Sequence, residues 1–213
     1  MKIRSDSKSI ALLAIFTSLV ISLEIFPIVG ITDFYAPVPN FTIDWTGIPI
    51  IIIFLGLGII YSFFAIGVMC ITIGYRNFQG AIFKGLAELF TLIGLIVAKF
   101  VTRNRDLDWK SSTIIYLLFT ASFRGMGMLL GNTLLFQVFF TSSPDAAFAL
   151  STIYVPWNIV QAIINVIGGI FLYKMIPESL KIQAGLGRYG ETETQKFENL
   201  SSDDIEDADD ESR

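Results

Sequence analysis

Six long apolar windows decide what this chain can become, at about 9–29, 46–60, 61–75, 80–101, 112–140 and 152–177. About 20 mostly apolar residues suffice to cross a bilayer as a helix. Within lipid only helices and closed barrels satisfy every backbone hydrogen bond. The chain is 53% hydrophobic and 16% charged, where a soluble domain carries about 25% charged residues. The expectation is an all-α integral membrane bundle of six transmembrane helices, spanning residues 1–178. The second and third windows need a break between them. Residues 46–75 as one helix would be about 45 Å long, against a hydrocarbon core of about 30 Å. Gly56, Gly58 and the Ser62 region offer the place, so two short helices meeting in a tight turn near Gly58–Tyr61 are expected. Lys2, Arg4 and Lys8 precede the first window as in a signal peptide. That run is too long and lacks a clean small-x-small cleavage site, so it reads as a retained helix.

Charge sets the orientation. With the N-terminus inside, the inner segments hold 12 of the 15 bases, and the outer segments 31–45 and 141–151 hold none. By the positive-inside rule both termini are cytoplasmic and the protein is a multi-pass component of the cell membrane. Residues 191–213 carry ten acids and two bases. With its low hydrophobicity and self-repelling charge, 179–213 reads as an acidic, disordered cytoplasmic tail.

What is missing narrows the chemistry. The sequence contains no His and a single Cys, which excludes His-based zinc sites, Ser-His-Asp triads and an internal disulfide. It has no GxxxxGK[ST], HExxH or GxSxG motif. No catalytic residue, metal, cofactor or nucleic-acid partner is expected, and ATP could act only through another subunit.

The polar residues inside the spans are the candidates for function. Tyr154, Asn158, Gln161 and Asn165 fall at helical spacing on the sixth window, and Asn132 adds an amide on the fifth. Buried amides need hydrogen-bond partners. Interhelical bonds explain one or two; this many on neighbouring helices suits an uncharged, polar, planar ligand, with Tyr154, Trp157, Phe136 and Phe139 available to stack on a ring. Lys84 and Glu88 stand at i and i+4, and Arg124 lies within the fifth window. Glu88 pairs with Arg124 or with Lys84, as a structural ion pair or as cavity lining. Glu24 lies near the outer face, where it reaches water. The proline- and aromatic-rich outer loop, which includes Asn40, is either an interfacial aromatic belt or a lid. Ser7, Ala11, Ala14, Ser18 and Ser22 draw a small-residue stripe along the first helix. It serves internal packing or docks a partner membrane protein.

At these residues the chain resembles the substrate-binding S components of energy-coupling factor (ECF) vitamin transporters, the riboflavin-type branch in particular. Four stretches carry the likeness: the stripe Ala11/Ala14/Ser18; IDWTGIPIIIIFLGLGIIYSFFAIG from Ile43 to Gly67; FRGMGMLLGNTLLF from Phe123 to Phe136; and YVPWNIVQAIINVIGGIFLYK from Tyr154 to Lys174. The resemblance implies a six-helix subunit that captures riboflavin or a relative from outside. It also implies docking on a membrane scaffold subunit that carries two ATPases, through Ala11, Ala14 and Ser18. Asn132 and Asn158 would hydrogen-bond the flavin, with Gln161, Asn165, Tyr154, Trp157, Arg124, Glu88 and Asn40 as further candidates around it. Gln161 stands where that branch often has Lys, and Gly47 where a second acid often follows Asp44. The alternative is a stand-alone secondary transporter coupled to protons through Glu88 and Arg124. A lipid-acting membrane enzyme is a more distant rival, for want of His or a cluster of acids.

Overall fold

A computed structural model describes residues 7–103, 108–177, 179–181 and 186. Most of the 179–213 tail lies outside the described residues. Six helices and one hairpin make up the fold: α1 (Ser7–Ile25), β1 (Asp33–Tyr35), β2 (Thr42–Asp44), α2 (Gly47–Gly56), α3 (Ile59–Gly74), α4 (Phe78–Thr102), α5 (Trp109–Phe140) and α6 (Pro144–Met175). The helices form a closed ring in which α6, α5, α4, α3, α1 and α2 follow one another, and α2 returns to α6. Alternating direction puts the hairpin, the α3–α4 turn and the α5–α6 turn at one end. The other end carries Arg103, Lys110 and Lys174.

Local chemistry sets the boundaries. The side chains of Asn77, Asp108 and Ser143 accept the first free backbone N–H groups of α4, α5 and α6, the usual work of such residues at a helix start. Pro144 suits the first turn of α6, where no N–H is needed. The α2–α3 break falls at Leu57–Gly58. Both of their N–H groups fold back on the Ile53 carbonyl, and Gly58 has φ +100°, which other residues adopt only with strain.

Four helices, α1, α4, α5 and α6, are long and apolar enough to cross a membrane. The second and third windows do become separate helices, but shorter ones than spans require. At ten and sixteen residues, α2 and α3 reach only about 15 and 24 Å. α2 is buried on all sides, with nine of its ten residues inside, as expected of a helix that is apolar all round. Its Ile48 and Ile51 fit against Gly168 and Gly169 of α6, where any added Cβ would collide with them. On α5 two opposite stripes separate cleanly. Arg124, Met128, Asn132 and Phe136 are buried, while Met126, Leu130, Leu134 and Val138 are 64–72% exposed. So apolar an outer stripe calls for lipid or a partner protein.

The main hydrophobic core lies between α2 and α3, closed by Val20, Leu92, Leu95 and Val166. Leu186 joins it and covers Gly56. The inward polar residues gather on the other side of the bundle, between α4, α5 and α6 and beneath the hairpin.

Candidate functional site

The α6 stripe points inward as its spacing predicts. Asn158, Gln161 and Asn165 are all buried. Gln161 is the eighteenth residue of α6, about 25 Å from the helix start, yet it meets the backbone that leads into α2. Its Oε1 accepts from the Asp44 N–H at 3.0 Å, its Nε2 donates to the Asp44 carbonyl at 2.5 Å, and the same Nε2 donates to Asn165 Oδ1 at 2.9 Å. The chain thus enters α2 part-way down the bundle as non-helical backbone. Such backbone is tolerated at that depth only if its polar groups are satisfied, and the Gln161 carboxamide does this as a neighbouring strand would. The sequence reading assigned Gln161 to a ligand; in the fold its amide is committed to Asp44 and Asn165. Gln161→Leu strands two buried backbone groups, at about 1–3 kcal/mol each. A melting temperature unchanged in detergent would show that the clamp contributes nothing.

Gly47 follows from the same crowding. A Cβ there would lie 1.9 Å from Asn165 Nδ2, so an acid at position 47 is excluded by the asparagine that occupies its space.

The charges pair differently from the sequence expectation. Lys84 does not pair with Glu88; it bridges Glu24 and Asp44, with Asp44 Oδ2 at 2.9 Å. Glu24 therefore does not simply reach water: it ties the end of α1 to α4. Burial pushes the Asp44 carboxyl up. The Lys84 ammonium and two hydrogen bonds from Thr46 more than offset this and hold it below the ordinary carboxylate range. Asp33 stands opposite Asp44 in the hairpin register, and burial together with the Asp44 charge raises its carboxyl. Deeper in, Arg124 Nη1 donates to Glu88 Oε1 at 2.6 Å and to Thr91 Oγ1 at 2.9 Å. Of the two pairings open to Glu88, Arg124 is the one formed.

Several buried polar atoms have no hydrogen-bond partner among the described residues: Asn132 Oδ1, Asn158 Oδ1, Asn165 Nδ2, Glu88 Oε2 and Arg124 Nε. Asn158 Nδ2 bonds only within its own helix, to the Tyr154 carbonyl at 3.0 Å. Native proteins keep few such orphans because each costs about 1–3 kcal/mol. Aromatic rings close the hairpin end. Phe136 packs on Phe83, Phe140 and Tyr154 at 5.4–5.9 Å between centroids. Tyr154 meets Phe41 at 6.2 Å and donates its hydroxyl to the Pro39 carbonyl at 2.9 Å. The hairpin loop is thereby tethered to α6 over the amides.

No family model matches this sequence, and no curated protein matches it. Among solved structures, the fold is similar to the crystal structure of an S-component for biotin from an ECF-type ABC transporter. The similarity has a TM-score of 0.53 and covers 85% of this chain and 98% of that one, at 17% identity. The chain has the fold of that S-component.

Against this frame, Asn132, Asn158, Asn165, Arg124, Glu88 and Tyr154 all face the same side of the bundle, between α4, α5 and α6, and Trp157 is half-buried beside them. Asn40 is not among the buried amides; it is exposed at the hairpin turn, with φ +54°, a left-handed conformation that Asn tolerates better than most residues. Ala11, Ala14 and Ser18 are exposed, while α1 turns Ser9, Thr17 and Val20 inward. Sequence reasoning missed the Glu24–Lys84–Asp44 cluster and the hairpin. A signal for the cluster existed, since each of the three is a lone charge in an apolar setting and such charges seek partners.

Proposed function

We propose that the chain is the substrate-binding membrane subunit of an ECF-type vitamin transporter. It spans the membrane with six helices, both termini cytoplasmic, and captures an uncharged vitamin, riboflavin or a relative, from outside. The observation that carries the reading is the fold shared with the biotin S-component along nearly the whole of that protein, combined with orphaned amides at the centre of the bundle. Such amides in an apolar wall are what a planar polar ring requires. Charge supports a neutral ligand over a carboxylate such as biotin. At the hairpin end Lys84 is shared by two acids, Arg124 is held by Glu88, and Arg76 donates to the Glu24 carbonyl. The charged groups within that half therefore offer an anion no uncompensated cation.

The test is purification in detergent followed by identification of any small molecule retained. Flavin absorbance supports the reading, and a carboxylate vitamin in its place removes the riboflavin assignment. Uptake that requires the scaffold and ATPase subunits fits an S component; uptake by the chain alone, abolished by an uncoupler, establishes the proton-coupled alternative. The exposed Ala11/Ala14/Ser18 stripe is the proposed docking face. Ala14→Trp is expected to reduce uptake at least tenfold, since a bulky side chain blocks the close helix approach that small residues permit, while ligand affinity stays within twofold. Parallel loss of binding would show that the stripe supports the bundle itself.

A further inference from the structure

We propose that the outer seam between α5 and α6 holds one anionic phospholipid, its headgroup at Lys110 and Lys174 and an acyl chain in the groove above them. The inference rests on the membrane-embedded reading but not on which vitamin is carried.

An apolar groove runs along this seam, lined by Leu117, Leu118, Ala121 and Ser122 of α5 and by Ile159 and Ile163 of α6. It touches none of the amide residues. Below it, at the basic end, Trp109 is 58% exposed. Lys174 Nζ lies 3.8 Å from the indole centroid and Lys110 Nζ 5.9 Å from it. One ring thus gathers a cation from the start of α5 and another from the end of α6. Helical register aligns these cations with the groove. Lys110 stands seven and eleven residues before Leu117 and Ala121, and Lys174 eleven after Ile163. At about 100° per residue these steps return to within about 20° of the same face. The rise between cations and groove is about 10–17 Å, and one leaflet of the hydrocarbon core is about 15 Å deep.

The charge pattern selects the headgroup. Among the described residues neither Lys110 nor Lys174 forms an ion pair, and Arg103 is exposed nearby in sequence. The one acid described at this end, Asp108, is spent capping α5, accepting from the Ser111 N–H at 3.3 Å. An ammonium on a ring face keeps N–H donors for a phosphate. A free phosphate would satisfy the lysines but leave the groove beside them uncovered, whereas a phospholipid fills both. A zwitterionic headgroup would add a third cation to two.

The test uses the full chain in detergent, with native mass spectrometry during titration by phosphatidylglycerol or phosphatidylcholine of the same acyl chains. The expected result is one retained phosphatidylglycerol, and binding weakened about 30-fold in the K110Q/K174Q double variant, since each basic group near an anionic headgroup contributes about fivefold. Ala121→Trp, which fills the groove and keeps both charges, is expected to weaken binding at least tenfold; the exposed lysine variants decide the matter if that variant does not fold. Equal retention of phosphatidylcholine, or unchanged phosphatidylglycerol binding in the double variant, overturns the proposal. Effective competition by glycerol phosphate assigns the lysines to free phosphate instead. A chain that stays monodisperse without detergent overturns the membrane reading itself, a separate outcome.

Discussion

Arg124→Leu is expected to lower the stability of the bundle by about 3–5 kcal/mol, because it leaves a carboxylate buried without its counter-charge. Glu88 is 1% exposed; one of its oxygens bonds Arg124 and the other has no partner among the described residues. Glu88→Leu alone should cost a similar amount by stranding the guanidinium. The double variant Arg124→Leu/Glu88→Leu should recover most of the loss, since apolar replacements of a whole buried pair are often close to neutral. Thermal and denaturant unfolding of the four proteins in one detergent, treated as a double-mutant cycle, measures the coupling. Additive losses would mean that the two charges do not depend on each other. Ligand titration of the double variant then separates the two roles weighed for this pair. Retained affinity makes it a structural tie between α4 and α5; lost affinity in a folded protein makes it part of the ligand cavity.

Asn158→Leu carries the second large expectation, a loss of about 10- to 100-fold in vitamin affinity. The side chain is buried, its Oδ1 has no partner, and its Nδ2 bonds only the carbonyl one turn back in α6. Leucine has nearly the same shape and removes the one acceptor available to a ligand N–H, at about 1–3 kcal/mol. Stability should change little, because no neighbouring helix loses a bond. Titration of purified protein with the vitamin, followed by quenching of intrinsic or flavin fluorescence, reads the effect. Affinity equal to the wild type would remove Asn158 from the site and leave the amide stripe as packing. Gln161→Leu serves as the contrast, since its principal loss should appear in melting temperature through the Asp44 clamp.

Much of the architecture was legible because lipid and water leave long, additive signals. Hydropathy located all six helices, and the break between α2 and α3 fell within a few residues of its expected place because Gly58 is needed there. The inward direction of Asn158, Gln161 and Asn165 followed from spacing alone. Other features were hidden. The short strands in 33–44 have no period that could be told from a proline-rich loop. The first eight residues of α6 lie before the expected window, which began only where the apolar run did. The shortness of α2 was masked by its flanks: the residues ahead of it read as the start of a span, yet they enter the bundle as extended chain.

The sequence by itself determined the helical class, the inward and outward stripes and the absence of catalytic chemistry. Periodicity and composition are properties of neighbours along the chain, and each helix carries its own record of what it must bury. Which charge meets which, and which amide is already taken, only the tertiary structure decided. Lys84 chose Glu24 and Asp44 over Glu88, and Gln161 was claimed by backbone 117 positions away. The physical reason is that a buried polar group must find a partner within about 3 Å, and the ring order that brings α6 against the start of α2 appears in no local pattern.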